Sequence, residues 1–180
     1  MDYSNKIEEW FYSYSDDIYN FLVYYTGSFD VDDYVQEVFL KAYKSLHLYE
    51  KRANPKTWLL TIARNVVIDN VRKNKLFRFL PIDYLTSRFA PKDDKSPEKV
   101  LMLDETLSEI HQAILTLKQS YKDVLVYRLI LELSIEETAT ILDWTHAKVS
   151  LTYHRSIKIL QKKLSNTHKG GRQNYEETTP

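Results

Sequence analysis

The chain has 180 residues, of which 43% are apolar, with only three glycines and five prolines. This composition is typical of a globular, helix-rich protein of one or two small domains. The sequence contains no cysteine, which excludes disulfides, thiolate zinc sites and a cysteine nucleophile. The formal net charge is zero, but residues 1–40 hold nine acids against one base, whereas residues 41–78 hold ten bases against two acids. The basic segment favours a polyanionic partner such as nucleic acid.

The N-terminal segment is acidic and aromatic rather than basic and then apolar, so we expect no secretory signal. No apolar run approaches the length of about 20 residues that a membrane-spanning helix needs. We therefore expect a cytoplasmic protein.

The first forty-odd residues predict two helices. Apolar residues recur at intervals of three and four over residues 4–26, and Gly27 marks the end of that helix. A second apolar stripe runs from Val31 to Leu46, with Ser28 or Asp30 as the expected N-cap. Its opposite side is polar and acidic and carries Asp32, Asp33, Gln36 and Glu37.

A short loop with an aromatic ring and two bases follows this second helix. The helical period fails between residues 46 and 54, where the sequence places Tyr49, Lys51 and Arg52. Asn54 and Pro55 then predict a new helix to Leu76, with the asparagine as N-cap.

The helix over residues 56–76 has a basic, amide-bearing outer side. Its inner side is predicted to hold Trp58, Leu59, Ile62, Ala63, Val66, Val67 and Val71, and its outer side Thr61, Arg64, Asn65, Arg72 and Lys73. Aromatic rings beside such a surface can stack unpaired bases and neutralise their backbone. The alternative is an ordinary core helix with a basic surface.

Residues 78–98 contain three prolines and no sustained period, which predicts a linker. A helix is expected from Ser96–Pro97 to Leu117, and another over residues 121–131. The polar, glycine-containing stretch 165–180 is expected to be a disordered tail.

The stretch from Leu133 to Leu164 predicts a helix-turn-helix. Ser134 and Glu137 form a capping box for a short helix, and Thr145 can cap a second helix after a brief interruption. No acid occurs over residues 144–175. A basic polar side suits a recognition helix in the major groove, although a solvated amphipathic helix would have a similar pattern. The exposed side is predicted to carry His146, Lys148, Ser150, Leu151, Thr152, Arg155, Lys158 and Lys162.

Taken in this order, the segments resemble the ECF (extracytoplasmic function) sigma factors of bacterial RNA polymerase. Three stretches carry the resemblance: residues 33–40 (DYVQEVFL), 57–66 (TWLLTIARNV) and 133–139 (LSIEETA).

The resemblance implies an all-α fold of two small helical domains joined by a flexible linker. A sigma region 2-like helical bundle would occupy residues 1–77, the linker 78–98, and a sigma region 4-like helix-turn-helix domain 99–164. The implied function is that of an alternative sigma factor, which binds core polymerase and directs promoter-specific transcription initiation, often in a stress response.

The resemblance also assigns roles to particular positions. Asp33, Gln36 and Glu37 match the residues that dock on the clamp helices of the polymerase. Tyr49 and Asn65 match positions that capture flipped bases of the minus-ten element, which suits asparagine because its amide both donates and accepts. Trp58 lies on the apolar side and is favoured as a core anchor over a base wedge. The minus-ten set also includes Lys51, Arg52, Thr61, Arg64, Arg72 and Lys73, and the minus-thirty-five set is His146, Lys148, Ser150, Leu151, Thr152, Arg155 and Lys158.

The implied partners are core RNA polymerase, promoter DNA as duplex and as melted strand, and an anti-sigma factor, which in the family is commonly membrane-bound. The chain departs from the family at several positions. Glu132 stands where many members have glycine, which questions the local turn geometry. Ala147 replaces a common glycine, and Ser150 and Thr152 replace common basic residues, so we expect an unusual minus-thirty-five sequence.

Two rival functions account for less of the sequence. A polymerase-independent helix-turn-helix regulator would account for residues 133–164 but not for the aromatic and basic helix before the linker. An enzyme has little support, because the five histidines are scattered, no metal-ligand spacing occurs and the three glycines build no phosphate loop. We therefore expect no catalytic residues, metal or cofactor.

Overall fold

The computed structural model describes residues 3–49, 54–77 and 105–173, and every regular element in these ranges is helical. The predicted all-α fold is confirmed. The chain divides into two compact units, residues 1–101 and 102–180. The predicted linker, 78–98, lies outside the described residues. The helices are α1 (Tyr3–Thr26), α2 (Asp32–Ser45), α3 (Pro55–Phe77), α4 (Glu105–Leu115), α5 (Gln119–Leu125), α6 (Ile135–Leu142) and α7 (His146–Gln173).

In the first unit, α1, α2 and α3 pack against one another around a shared apolar core. A short 3-10 turn, Leu46–Leu48, closes the C-terminal end of α2. The burial of each large apolar side chain contributes on the order of 1.5–3 kcal/mol, which makes this core the main source of the unit's stability. Its fully buried side chains include Ile18, Phe21, Leu22, Val31, Val38, Leu59, Leu60, Ala63 and Val66.

Two helix ends of this unit follow the sequence prediction. Gly27 lies at a φ of 77° after α1, and its amide donates to the Val23 carbonyl at 2.9 Å. Asn54 caps α3, because its Oδ1 accepts from the Lys56 amide at 2.9 Å. Both ends are local events, and short-range rules predict them.

The predicted N-cap of α2 is wrong. Val31 occupies the N-cap position and makes no side-chain cap, while the Ser28 hydroxyl accepts from the Asp30 amide within the preceding turn. Val31 is fully buried, so tertiary packing rather than capping chemistry sets where α2 begins. Asp32 and Asp33 in the first turn complement the helix dipole instead.

In the second unit, α7 packs against α4, α5 and α6. Ile114, Val124, Leu125 and Val149 are fully buried where these helices meet. Helix α5 continues into a π-helical turn, Val126–Ile130. Among the described helices, none combines the length and apolar character of a transmembrane span.

The helix-turn-helix forms as predicted. The Glu137 amide donates to the Ser134 hydroxyl at 3.1 Å, and the Ser134 amide donates to the Glu137 carboxylate at 2.8 Å. Helix α6 ends at Asp143, whose φ of 53° is left-handed, a conformation that aspartate tolerates better than most residues. The Thr145 hydroxyl then accepts from the Lys148 amide at 3.2 Å, which confirms Thr145 as the cap of α7.

The sequence prediction for the end of α7 is wrong. The helix was expected to end at Leu164 and residues 165–180 to be disordered, but α7 continues to Gln173. Residues 165–169 contain neither glycine nor proline, so each of them adds a backbone hydrogen bond without a new nucleation cost. Gly170 and Gly171 disfavour helix but lie within the last turn. Residues 174–180 lie outside the described part of the chain.

Glu132 occupies a strained position between the π-helical turn and α6. Its φ is 53°, which costs a residue with a Cβ roughly 1–2 kcal/mol. The turn is held by the Leu133 amide, which donates to the Tyr127 carbonyl at 2.8 Å, and by Arg128 Nη1, which donates to the Leu133 carbonyl. Glu132, which stands where many family members have glycine, therefore occupies a position with a left-handed backbone.

We predict that Glu132→Gly stabilises the protein by about 1 kcal/mol, because glycine relieves the left-handed strain but loses some entropy on folding. Urea unfolding measures the change. Glu136→Gly is the matched control, since Glu136 lies exposed within α6, and it should destabilise by about 1 kcal/mol. If the Glu132→Gly variant were less stable than the parent, the claim that the backbone at Glu132 is strained would be wrong.

Candidate functional site

The outward side of α2 combines acidic, amide and apolar residues. Asp33 and Gln36 are exposed, as predicted. Leu40 and Tyr43 lie farther along the same side at helical spacing and are 60% and 51% exposed. We call these four residues the α2 face. Sequence reasoning missed Leu40 and Tyr43 as surface residues, although both fall outside the buried period of the helix.

Glu37 is half-buried and connects α2 to α3. Its carboxylate accepts from Asn70 Nδ2 at 3.2 Å and pairs with Lys41 Nζ at 3.3 Å. Lys41 also lies 3.7 Å from the Asp69 carboxylate. Burial, followed by the charges of Glu37 and Asp30, raises the pKa of Tyr34. Glu37 is therefore part of the seam between two helices, unlike the freely exposed Asp33 and Gln36.

Three aromatic rings meet at the start of the loop after α2. The Tyr49 ring centroid lies 5.0 Å from that of Trp10 and 5.2 Å from that of Trp58, and the two tryptophans are 5.8 Å apart. We call these rings the aromatic cluster. Lys6 Nζ lies 5.0 Å from the Trp10 centroid and 5.1 Å from that of Tyr49.

The aromatic cluster sharpens two sequence predictions. Trp58 is partly exposed, so it is an anchor at the edge of the core rather than inside it. Burial, followed by the Tyr14 charge, raises the pKa of Tyr49 above its ordinary value. Lys51 and Arg52 lie outside the described residues.

The outer side of α3 begins one turn after Trp58. Asn65, Arg72 and Lys73 are exposed, and Thr61 and Arg64 are half-buried. Thr61 donates its hydroxyl to the Thr57 carbonyl at 3.0 Å, which leaves the oxygen's lone pairs as acceptors. Residues 58 to 72 span about 21 Å at 1.5 Å per residue. We call Thr61, Arg64, Asn65, Arg72 and Lys73 the α3 face.

The inner side of α3 differs from the prediction at two positions. Leu60, which was not assigned to the core, is fully buried, and Val71, which was, is 46% exposed.

The outer side of α7 presents the predicted recognition residues. Val149, Ser156 and Leu160 are buried, and this turns the other side of the helix to solvent. Leu151 is 53% exposed, and His154, which the sequence prediction omitted, is exposed beside it in the helical repeat. Thr152 is half-buried, whereas His146, Lys148, Ser150, Arg155 and Lys158 are exposed.

The N-terminal turn of α7 contains a cation–aromatic contact. Lys148 Nζ lies 4.0 Å from the centroid of the Trp144 ring. The residues that the structure describes contain no group of three or more histidine, aspartate and glutamate side chains placed to hold a metal ion.

Comparison with known proteins identifies the family. The sigma-70 region 2 model matches residues 10–77. The ECF RNA polymerase sigma factor SigX of Bacillus subtilis is 33% identical over 155 residues, which cover 84% of this chain and 80% of SigX. The chain belongs to the ECF RNA polymerase sigma factor family. The sigma factor YlaC of the same organism is 31% identical over 166 residues, which cover 92% of this chain and 95% of YlaC.

Solved structures share the fold of this ECF sigma factor. The sigma factor RpoE in complex with the anti-sigma factor NepR, from Bartonella quintana, aligns with a TM-score of 0.65 at 20% identity, over 89% of this chain and 97% of RpoE. CnrH in complex with the cytosolic domain of CnrY aligns with a TM-score of 0.63 at 19% identity, over 89% of this chain and 88% of CnrH. The matches to the sigma-70 region 2 model and to SigX confirm the predicted sigma-factor function over the rival regulator.

For this ECF sigma factor we predict that Asn70→Ala lowers the free energy of unfolding by about 1 kcal/mol, because the half-buried Glu37 carboxylate and the Val66 carbonyl both lose a hydrogen-bond donor. Asn65→Ala is the matched control, since it makes the same change at an exposed position of the same helix and should shift stability by under about 0.5 kcal/mol. Urea unfolding compares the two. Equal effects would show that the Glu37–Asn70 bond adds nothing to the α2–α3 seam.

Proposed function

We propose that this ECF sigma factor binds core RNA polymerase through the α2 face, captures melted minus-ten DNA along the α3 face, and reads minus-thirty-five duplex with the outer side of α7. It acts as a binding and positioning subunit without catalytic chemistry of its own. The observation that carries this assignment is the difference in chemistry among three exposed surfaces. The α2 face is acidic and apolar, whereas the α3 face and the outer side of α7 are basic.

The α2 face suits a protein partner with basic and apolar groups. Asp33 and Gln36 supply acceptors at its N-terminal end, while Leu40 and Tyr43 supply the apolar contact that gives interfaces most of their binding energy. Glu37 contributes indirectly, because its carboxylate is shared with Asn70 and Lys41. We propose that it fixes the angle between the docking helix and the DNA-binding helix.

The α3 face suits a single strand. Asn65 offers both a donor and an acceptor to the Watson–Crick edge of a flipped base. Arg72 and Lys73 offer positive charge to the backbone farther along the helix. Tyr49 precedes the basic Lys51 and Arg52 in the sequence, and its contact with Trp10 and Trp58 gives an aromatic platform on which bases can stack. Thr61 and Arg64 lie between this platform and Asn65 along the helix.

The outer side of α7 suits the major groove. Arg155 can make two hydrogen bonds to guanine, and the exposed Leu151 can contact a thymine methyl group. Ser150 and Thr152 are short polar groups that reach base edges without neutralising phosphates. His146, Lys148 and Lys158 add donors along the same side of the helix.

An anti-sigma factor is the third partner that we propose. Two structures with this fold are complexes, one of the sigma factor RpoE with the anti-sigma factor NepR and one of CnrH with the cytosolic domain of CnrY. The exposed apolar Leu40 and Tyr43 are the surface on which such a partner would compete with polymerase. We place the protein in the cytoplasm, held at the membrane when its anti-sigma factor is membrane-bound, and propose functional domains at 1–77 and 99–164.

Asn65→Ala and Tyr49→Ala should reduce promoter melting more than they reduce binding to core polymerase, because they remove base contacts. Glu37→Lys should do the reverse, because it reverses a charge in the α2–α3 seam next to the docking face. Permanganate reactivity of minus-ten thymines measures melting, and fluorescence anisotropy measures core binding. Tyr49→Phe is the control that keeps the ring. The same loss of core binding in all three variants would contradict the assignment.

Arg155→Ala should weaken holoenzyme binding to promoter duplex by about 1–3 kcal/mol and relax the sequence preference at one base pair, if Arg155 pairs with guanine. Lys158→Ala is expected to weaken binding evenly across sequences and to lower the salt slope by about one, as a phosphate contact does. Equilibrium binding at several salt concentrations separates the two. A salt-slope change without loss of preference would make Arg155 a phosphate contact.

A further inference from the structure

Trp144 and Lys148 form a pair at the start of the recognition helix. Trp144 lies in the turn before α7, Lys148 lies in the first helical turn, and the ammonium is 4.0 Å from the indole centroid. We propose that Trp144 is a positioning residue for promoter recognition, which holds the Lys148 ammonium ready for an acceptor on minus-thirty-five DNA. The proposal deepens the proposed function of α7 and rests on it.

A cation at this position needs a compensating group. The N-terminus of a helix carries partial positive charge, so a lysine in the first turn is disfavoured. Helix α7 has no acidic residue in its first turn that would offset this charge. The negative face of the indole ring supplies the attraction instead.

The contact differs from a second cation–aromatic contact among the described residues of this unit. The guanidinium of Arg128 lies 5.6 Å from the Tyr153 ring, but Arg128 is half-buried and donates to the Leu133 carbonyl. Arg128 thus serves the fold at the turn before α6. Lys148 is exposed on the side of α7 that carries the recognition residues, and its ammonium group lies beside a ring that is itself partly exposed.

Holding the ammonium in advance favours recognition. A free lysine loses more rotamer freedom on binding than most side chains, and a side chain ordered beforehand loses less. Because an ammonium only donates hydrogen bonds, its target is an acceptor, either the O6/N7 edge of guanine or a phosphate oxygen. With Ser150 and Thr152 in place of basic residues, Lys148 is the lysine nearest the N-terminal end of this helix.

The test uses the holoenzyme and a duplex library whose minus-thirty-five region is randomised. The variants are Trp144→Leu, Trp144→Phe, Lys148→Met, and Trp144→Leu combined with Lys148→Met. Trp144→Leu should weaken binding to the preferred duplex about two- to fivefold, the range expected for an exposed cation–aromatic contact. Trp144→Phe should recover part of that loss, because it keeps an aromatic face.

The decisive comparison is the double variant, which should bind no more weakly than Lys148→Met alone. If Trp144→Leu causes its full loss in the Lys148→Met background as well, Trp144 acts through packing and the proposal is overturned. A guanine preference that vanishes with Lys148→Met identifies a base edge as the target, whereas a lower salt slope with unchanged preference identifies a phosphate. If Lys148→Met changes neither, the proposal fails.

Arg155→Ala on the same library separates this proposal from the function on which it rests. If Arg155→Ala alters binding while Trp144→Leu does not, α7 reads DNA without help from Trp144. If neither variant alters binding, the assignment of α7 to the minus-thirty-five element is itself wrong.

Discussion

Burial of one side of α3 determines which side chains of the first unit face solvent, and so which can serve the proposed capture of DNA. Leu59, Ala63 and Val66 are fully enclosed by α1 and α2, and a helix with 3.6 residues per turn must then present its other side to solvent. Asn65 and Arg72 lie on that side. The basic surface is thus a geometric consequence of the apolar core, and substitutions that shift the core would move the side chains proposed to contact DNA.

The polar seam between α2 and α3 adds orientation to this packing. Apolar contact alone tolerates small rotations, whereas the Glu37–Asn70 hydrogen bond and the Lys41 ion pairs require one register. The ion pairs are partly exposed and contribute little stability by themselves. They connect the helix proposed to dock on polymerase with the helix proposed to capture DNA.

Local chemistry could be predicted from the sequence, and tertiary choices could not. The Ser134–Glu137 capping box and the Thr145 cap depend on residues within three positions, so they were found from spacing alone. The start of α2 at Val31 depends on burial against other helices. The extent of α7 differs from the prediction because a polar sequence after Leu164 does not by itself end a helix, and no helix breaker intervenes before Gly170. The family resemblance supplied the site residues that periodicity could not assign.

The contact between Trp144 and Lys148 also combines a feature that the sequence predicts with one that only the structure shows. Spacing places both residues near the start of α7, but only the ring geometry shows that the cation is held against an indole face. Positive charge on a recognition helix gives affinity for any sequence, whereas a charge held in one place favours an acceptor at one place. Helix α7 lacks basic residues at 150 and 152, so it has less of the charge that binds DNA of any sequence. Because Lys148 is held in one position, the helix can still favour an acceptor at one place on the DNA.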